Sequence, residues 1–375
     1  MTNSLLGRAR ASAVARSRTA VATVGGLTHP LRRAPGYLLD RSRSPAGPGA
    51  VVVEPDLSPR SLAARGLEPL FALGRRRYAS CTGVVWTRPD RFVTGHLLAC
   101  ALVSYSFDDT GTSPRIRRRT TIRDPEALGQ ITNLAVSPDG AWLAVTDSTF
   151  GRCSIHPIDP VSGDPQPEAV ARVALDGDHH MHAVEFSRDG HSVLFTAIDA
   201  KGGIRTAAFS AEPGSRTCTL GTPRRTTMDV AAPPKGLSFS PDGRLLAIGY
   251  GQNATRSATP LGVDALLEIR THDPETGAIG EVVGRAPTAW NLQAIEDVTW
   301  FPDGERLAIT DQPGDQVLIC RVDPATGAVG SLDARIGWAA GGLRLPHGCA
   351  TSPDGRWLAV TNYGDSSLRC YRLGA

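Results

Sequence analysis

Four side chains of the kinds used in acid–base chemistry recur at one position relative to a repeated turn. They are His182, Lys235, Glu296 and His347, and each stands five residues before the first residue of a Ser-Pro-Asp-Gly-like turn. Imidazole, carboxylate and amine groups that converge on one site can exchange protons with a bound molecule and can shift one another's pKa. The spacing therefore predicts an acid–base site, provided that the fold brings the four positions to one level.

The neighbouring positions add two further polar residues. In the two preceding repeats the same count reaches Gly83 and Thr132, and the next position along the chain holds Asn133 and Asp297. We expect Asn133 to bind a ligand and Asp297 to act beside the four ionisable residues.

Each of these residue types suggests a role. His182 and His347 are the acid/base candidates, Glu296 and Asp297 their partners or a second base, and Lys235 a group that stabilises an oxyanion. The alternative is that the polar residues only solvate the rim of a water-filled channel.

The turn that serves as the reference is a repeat of about 50 residues. Its copies begin at residues 88, 137, 187, 240, 301 and 352, the first being a weaker Arg-Pro-Asp-Arg version. Apolar strand patterns flank each copy. Asp-Gly favours a tight hairpin connection, and several short strands per 50-residue unit predict a β-propeller.

The repeat predicts a single all-β domain over residues 1–375. We expect seven four-stranded antiparallel blades, at about 25–75, 79–125, 130–176, 180–229, 233–286, 294–333 and 345–375. The last repeat lacks a fourth strand, so we expect an N-terminal strand within 10–24 to close the ring. The alternative is six blades with residues 1–75 as an N-terminal appendage.

Three longer loops are predicted on the face where the first strands of the blades begin. They are residues 250–263, 286–295 and 334–345, and loops on a rigid scaffold often carry binding groups. Besides Asn133, the predicted ligand-binding residues are Tyr250, Trp290, Gln293, Arg335, Trp338 and Arg344. Exposed Trp and Arg suit a ligand lid or, alternatively, a protein partner.

A histidine-rich segment raises a metal alternative. In an extended strand His180 and His182 fall on one side, and Asp178 could join them. Imidazole and carboxylate groups suit Zn, Ni or non-haem Fe. We expect no cofactor, and a divalent metal at these three residues is the alternative.

Composition narrows the function classes. The net charge of +3 does not indicate nucleic-acid binding, and no apolar run is long enough for a transmembrane helix. The seven cysteines form no Cys-x-x-Cys pair, which favours a reducing compartment. We expect a cytoplasmic protein. The alternative is an organelle, because residues 1–39 hold six arginines and no acidic residue.

Residues 182–187 and 346–362 resemble the bacterial lactonase-like seven-bladed propellers, which include 6-phosphogluconolactonase-type and surface-antigen-like proteins. The resemblance covers residues 80–375. It implies a channel-mouth histidine and glutamate, which His182, His347 and Glu296 match here. It also implies arginines, but Lys235 stands at the aligned level instead.

The function predicted from the sequence is binding of a small polar organic molecule, with lactonase- or isomerase-like catalysis. The first alternative is a non-catalytic protein-interaction scaffold that uses the same face. The second alternative is a metal-dependent enzyme centred on His180 and His182.

Overall fold

The fold is a six-bladed β-propeller. A computed structural model describes residues 50–53, 80–110, 114–123, 128–175, 180–198, 203–226, 233–251 and 267–373. These residues form six antiparallel sheets, each with four or five strands. The all-β fold and the four-stranded antiparallel blades expected from the repeat are confirmed.

The first three blades follow one another along the chain. Blade 1 contains β2 (Cys81–Arg88), β3 (Arg91–His96), β4 (Ala101–Asp108) and β5 (Arg115–Arg123). Blade 2 contains β6 (Ile131–Val136), β7 (Trp142–Asp147), β8 (Arg152–Pro157) and β9 (Ala171–Ala174). Blade 3 contains β10 (His180–Phe186), β11 (Ser192–Ile198) and β12 (Ile204–Ala211), with β13 (Cys218–Leu220) and β14 (Arg224–Thr226) both paired to β12.

The remaining blades keep this order. Blade 4 contains β15 (Pro234–Phe239), β16 (Leu245–Tyr250), β17 (Leu267–Asp273) and β18 (Ala278–Arg285). Blade 5 contains β19 (Ile295–Trp300), β20 (Arg306–Asp311), β21 (Gln316–Val322) and β22 (Val329–Gly337). Blade 6 contains β23 (Pro346–Thr351), β24 (Trp357–Asn362) and β25 (Leu368–Arg372), with β1 (Ala50–Val53) as its outer strand.

The innermost strands line a central channel and fix the number of blades. They contact one another in the cyclic order β2, β6, β10, β15, β19, β23 and back to β2. Since β23 lies directly against β2, no place remains between blades 6 and 1 for another blade. The expectation of seven blades is therefore wrong, and the six-bladed alternative is confirmed.

The ring is closed by an N-terminal strand, as the unfinished last repeat requires. β1 pairs antiparallel with β25, with Val51 opposite Cys370 and Val53 opposite Leu368. Residues 50–53 lie within the blade expected at about 25–75, and they instead supply the fourth strand of blade 6. The closing strand expected within 10–24 lies outside the described residues.

The Ser-Pro-Asp-Gly repeat forms the turn between the first and second strands of a blade. In blade 2 the Ser137 hydroxyl donates to Asp139 Oδ1 over 2.5 Å and accepts from the Trp142 backbone N–H over 3.0 Å. Gly140 has φ of +72°, which favours glycine. The repeat is therefore a self-satisfied turn, and its role is structural.

Apolar side chains pack between neighbouring blades. At the closure, Trp357 of blade 6 meets Phe107 of blade 1 edge-on, with ring centroids 5.0 Å apart. Around them Trp86, Phe92 and Tyr105 are almost fully buried. These contacts give the inner strands rigid support.

Helical structure is confined to single turns within the described residues. They are a 3₁₀ turn, Thr288–Trp290, and a short helix, Trp338–Gly341. In the part of the chain that the structure describes, no helix has the length and apolarity to cross a membrane. The cytoplasmic assignment stays a prediction.

Candidate functional site

Each innermost strand departs from regular pairing at the same level of the channel. The register shifts lie between Cys81 and Val84, Ile131 and Asn133, Met181 and Val184, Pro234 and Gly236, Ile295 and Asp297, and Pro346 and Cys349. Such bulges re-aim side chains. His182, Lys235, Glu296 and His347 all lie within these irregular stretches.

Threonine side chains on the second strands hold the bulges in place. Thr310 Oγ1 accepts from the Asp297 backbone N–H over 2.8 Å and lies 2.9 Å from the His347 carbonyl oxygen of the next blade. Thr146 Oγ1 donates to the His182 carbonyl over 2.6 Å. These bonds connect neighbouring inner strands at the level of the site. They satisfy backbone groups that the bulges leave unpaired.

Sequence reasoning overlooked these threonines although their spacing could have revealed them. Thr146, Thr196, Thr310 and Thr361 each stand nine residues after the first residue of the preceding turn. Blade 1 has no serine at the start of its turn, and counting back five residues from Arg88 reaches Gly83. The residue that bonds to the next blade is its neighbour Thr82, whose hydroxyl donates to the Ile131 carbonyl oxygen.

A ring of six blades brings the inner strands of opposite blades within contact distance. His182 of blade 3 and His347 of blade 6 stack with ring centroids 5.2 Å apart. Asn133 of blade 2 donates from Nδ2 to Asp297 Oδ1 of blade 5 over 3.2 Å. The channel is therefore crossed by side chains at this level.

Glu296 is the centre of an ionisable cluster, defined as His182, Lys235, Glu296 and His347. Lys235 Nζ lies 2.5 Å from Glu296 Oε1. On the other carboxylate oxygen, His182 Nε2 lies 3.1 Å and His347 Nε2 3.7 Å from Oε2. The exposed fraction is 4–5% for His182, Glu296 and His347. Four residues that are spread over more than 160 positions of the sequence thus form one group, of which only Lys235 is partly exposed.

The cluster fixes the charge of its central carboxylate. Burial alone would raise the pKa of Glu296, but the Lys235 ammonium, the hydrogen bond from His182 and the proximity of His347 outweigh burial and hold this pKa well below its usual range. Glu296 is accordingly ionised at neutral pH.

His347 has the opposite character. Burial lowers its pKa to about 3, and the nearby charge of Glu296 only partly opposes this shift. Its Nδ1 is buried and has no hydrogen-bond partner among the described residues. A neutral imidazole with an unpartnered nitrogen can bind a ligand or a proton.

His182 has a defined orientation. Its Nδ1 donates to the Lys235 carbonyl oxygen over 2.9 Å, so its Nε2 is the nitrogen that faces Glu296. Lys235 thus orients two members of the cluster, His182 through its carbonyl oxygen and Glu296 through its ammonium.

Asp297 lies beside the cluster and is enclosed by donors. Its carboxylate accepts from the backbone N–H groups of Val298 and Cys349, each over 3.0 Å, and from Asn133. Burial nevertheless raises its pKa to about 7. Adjacent carboxyl groups on one strand therefore have pKa values shifted in opposite directions, an arrangement that suits acid–base work.

Two of the predicted loop anchors are packed inside the fold. Trp290 is 8% exposed and belongs to the apolar core of blades 3–5. Tyr250 is fully buried, and its hydroxyl donates to Glu268 Oε2 over 3.0 Å. Trp290 is therefore not the exposed side chain that was expected, because it packs into this apolar core, and its role in ligand binding stays a prediction.

The other loop residues stay near the surface. Arg335 donates to Gln316 Oε1 over 2.6 Å, and the Gln293 backbone N–H donates to Asp311 Oδ1 over 3.0 Å. The Arg344 guanidinium stacks 3.9 Å from the centroid of the half-buried Trp338 ring. None of these contacts joins the loop residues to the ionisable cluster.

The histidine-rich segment is arranged differently from the spacing-based alternative. His180 is exposed, and its Nδ1 bonds to the Ser148 carbonyl oxygen over 2.9 Å. Asp178 lies outside the described residues. Among the described residues the group with metal-ligand geometry is instead His182, Glu296 and His347, whose donor atoms all lie within 4.8 Å of one another.

Comparison with known proteins supports the fold. No protein-family model and no curated protein matches the sequence. A provisionally assigned 6-phosphogluconolactonase from Bacteroides uniformis is 18% identical, with 78% of this chain and 80% of that chain covered, at a TM-score of 0.53. A luciferin-regenerating enzyme is 13% identical, with 87% and 96% covered, at a TM-score of 0.53.

A third similar structure has no enzyme name. The Cps50 (Swd1) β-propeller domain of Myceliophteria thermophila is 12% identical, with 80% of this chain and 99% of that chain covered, at a TM-score of 0.51. At these identities the likeness shows a β-propeller and no particular activity.

Proposed function

We propose that this protein is an enzyme that binds a small polar organic molecule at the ionisable cluster and hydrolyses or isomerises it, with a lactone as the leading substrate class. The observation that carries the proposal is that the buried His182 and His347 and the partly buried Lys235 converge on the buried Glu296 carboxylate in the channel. The enzyme names of two similar propellers agree with this reading.

A purely structural role accounts poorly for such a cluster. Removing several charges from water costs free energy that their mutual attraction only partly offsets, and apolar residues of similar size often stabilise a protein more. The next level along the inner strands is apolar, with Leu134, Val184, Leu237 and Val298 all at most 4% exposed. A polar layer set on a packed apolar one is typical of a ligand site.

The geometry supports a role for each residue. In lactone hydrolysis a water attacks the ring carbonyl, the unpartnered Nδ1 of His347 accepts the water proton while the ionised Glu296 stabilises the resulting imidazolium, and Lys235 stabilises the oxyanion. The proton then passes to the ring oxygen as the acyl–oxygen bond breaks. In isomerisation the same base removes a proton from carbon and returns it to another carbon. The Lys235 side chain is the most exposed of the four, at 15%, which favours substrate approach from its side.

The test is turnover of a panel of five- and six-membered lactones and hydroxy acids, followed by proton release and mass spectrometry. Glu296→Gln keeps the shape of the side chain and removes its charge, so we expect at least a hundredfold loss of kcat/KM. The matched control is Glu268→Gln, a carboxylate buried to a similar extent beside Arg270 and outside the channel, which should retain turnover.

Two results would count against the proposal. One is equal turnover by wild type and Glu296→Gln. The other is a panel without any substrate, together with a protein partner that Trp338→Ala loses and Glu296→Gln retains. The second result would favour an interaction scaffold.

A further inference from the structure

We infer that His182 Nε2, His347 Nε2 and Glu296 Oε2 bind a divalent transition-metal ion of the zinc class. The inference goes beyond the proposed activity, because metal binding can be measured whether or not a substrate is turned over. It also uses a different donor set from His180, His182 and Asp178.

The first support is distance. Two ligands of one zinc ion, at bond lengths near 2.1 Å, lie roughly 3 to 3.5 Å apart. Here the two imidazole nitrogens lie 3.1 and 3.7 Å from the same carboxylate oxygen, and all three donor atoms are within 4.8 Å of one another. The carboxylate oxygen is already close to ligand spacing from both nitrogens, and a change of up to about 1.5 Å in the remaining donor separation would bring all three donors onto one ion.

The second support is the outer contacts of the donors. Metal-binding histidines commonly donate their other ring N–H to a carbonyl or carboxylate. His182 does so, from Nδ1 to the Lys235 carbonyl oxygen over 2.9 Å. That bond fixes the ring so that Nε2, the nitrogen that would bind the metal, faces Glu296 Oε2 at 3.1 Å. A metal ion would take the place of the proton that Nε2 and this carboxylate share.

The carboxylate is oriented in the same way. Lys235 Nζ donates a hydrogen bond to Glu296 Oε1 over 2.5 Å. The other carboxylate oxygen, Oε2, therefore faces the two imidazole rings. The third ligand, His347, retains a buried Nδ1 without a partner among the described residues, so its ring is not committed to a hydrogen bond elsewhere. One oxygen and two nitrogens therefore converge, with His182 and Glu296 oriented by hydrogen bonds and His347 positioned by its stacking on the His182 ring.

The donor chemistry selects the class of ion. Two imidazole nitrogens and one carboxylate oxygen suit Zn²⁺, Co²⁺ or Fe²⁺, whereas Ca²⁺ and Mg²⁺ prefer sites made of oxygen. Three protein ligands leave a coordination position open. When bound, such an ion polarises carbonyl groups and lowers the pKa of a bound water.

The test uses the full chain, stripped of metal by a chelator and titrated with ZnSO₄ and CoCl₂. We expect one ion per chain by calorimetry and a tetrahedral Co²⁺ absorption spectrum without a thiolate charge-transfer band. The absence of that band excludes binding by the seven free cysteines. Glu296→Gln and His347→Ala should each weaken binding at least a hundredfold, and His180→Ala should change it less than threefold.

Folding of each variant is checked by its thermal transition. If His347→Ala does not fold, His347→Gln replaces it, and the Zn²⁺-induced rise in Tm that wild type shows should be absent. No binding of either ion by folded wild type would overturn the inference, as would unchanged binding in the ligand variants. Turnover by the chelated protein would support the proposed activity without a metal ion. Metal binding without turnover of any substrate in the panel would support the metal site and count against the proposed activity.

Discussion

Lys235 is the residue on which the ionisable cluster most depends. Its backbone carbonyl orients His182, and its ammonium neutralises Glu296. A buried carboxylate that loses its cation keeps its desolvation cost without compensation. The cluster should therefore be more sensitive to loss of Lys235 than to loss of either histidine.

We expect Lys235→Met to lower the free energy of unfolding by about 3 kcal/mol, because it leaves Glu296 buried and charged. The double variant Lys235→Met, Glu296→Gln should recover part of that loss. Arg321→Met is the control: its ion pairs with Glu305 and Asp333 are about half exposed, so it should cost less than about 1 kcal/mol. Urea unfolding measures the stability of all three variants. A Lys235→Met variant as stable as wild type would contradict the prediction.

A second residue gives a prediction about pH. Burial raises the pKa of Glu185 to about 7, against the opposing effects of Arg188 and of a backbone hydrogen bond at Phe239. A raised pKa means that the folded state binds a proton that the unfolded state has released. This contribution to stability is complete below about pH 4.5 and is lost as pH rises through 7.

The side chain in Glu185→Gln does not titrate, so the variant lacks this pH dependence. The stability of wild type relative to the variant should therefore fall between about pH 4.5 and 7, with a slope that corresponds to almost one proton released on unfolding. Unfolding free energies at pH 4.5, 6 and 7.5 measure the difference. A constant difference across this range would show that Glu185 has an ordinary pKa.

At this scale the sequence was informative where a residue could be counted from a strong turn. Counting back five residues found His182, Lys235, Glu296 and His347, which one buried cluster unites. It could not show that Trp290 is buried, because burial depends on the packing between blades. Nor could it show which oxygen of Glu296 each partner contacts.

At the scale of the strand, the cluster exists because every inner strand has a bulge at the same level. A regular strand would place alternate residues on opposite faces of its blade. The bulge and the second-strand threonine instead hold consecutive polar residues, such as Glu296 and Asp297, at the channel. The recurring threonine could be read from the sequence, whereas the bulge could not.

Close approach of inner strands at this level depends on glycine. A Cβ on Gly236 would lie 2.9 Å from the Val298 backbone nitrogen and 3.0 Å from the Asp297 Cα, both in the neighbouring blade. We expect Gly236→Ala to destabilise the fold by about 2 kcal/mol, because backbone cannot move aside cheaply. It should also weaken Co²⁺ binding, since Lys235 and Glu296 flank the contact.

The matched control is Gly337→Ala. That residue has extended backbone, with φ of −120°, and an added Cβ would meet nothing within 4 Å. Its thermal transition should stay within about 1 °C of wild type, as expected of a surface change. Equal effects of the two substitutions would show that the interblade contact at Gly236 is not tight.

At the scale of the whole molecule, the number of blades decides what the channel contains. With six blades, blades 3 and 6 are opposite, and so are blades 2 and 5. This is why His182 stacks on His347 and Asn133 reaches Asp297. The repeat predicted the propeller but not this count, because the closing pair of β1 and β25 joins residues more than 300 positions apart.

Ring closure by β1 leads to the last prediction. Without β1, the outer edge of β25 would expose unpaired backbone groups, and blade 6 would keep only three strands. A chain that starts at residue 54 should therefore unfold at a temperature several degrees lower than wild type and should aggregate on heating. A chain that starts at residue 48 retains Ala50–Val53 and is the matched control. Its thermal transition should lie above that of the chain that starts at residue 54, since the β1–β25 pair is intact. Calorimetry and light scattering compare the three chains. Equal transitions for the chains that start at 48 and 54 would mean that β1 adds nothing to the stability of the ring.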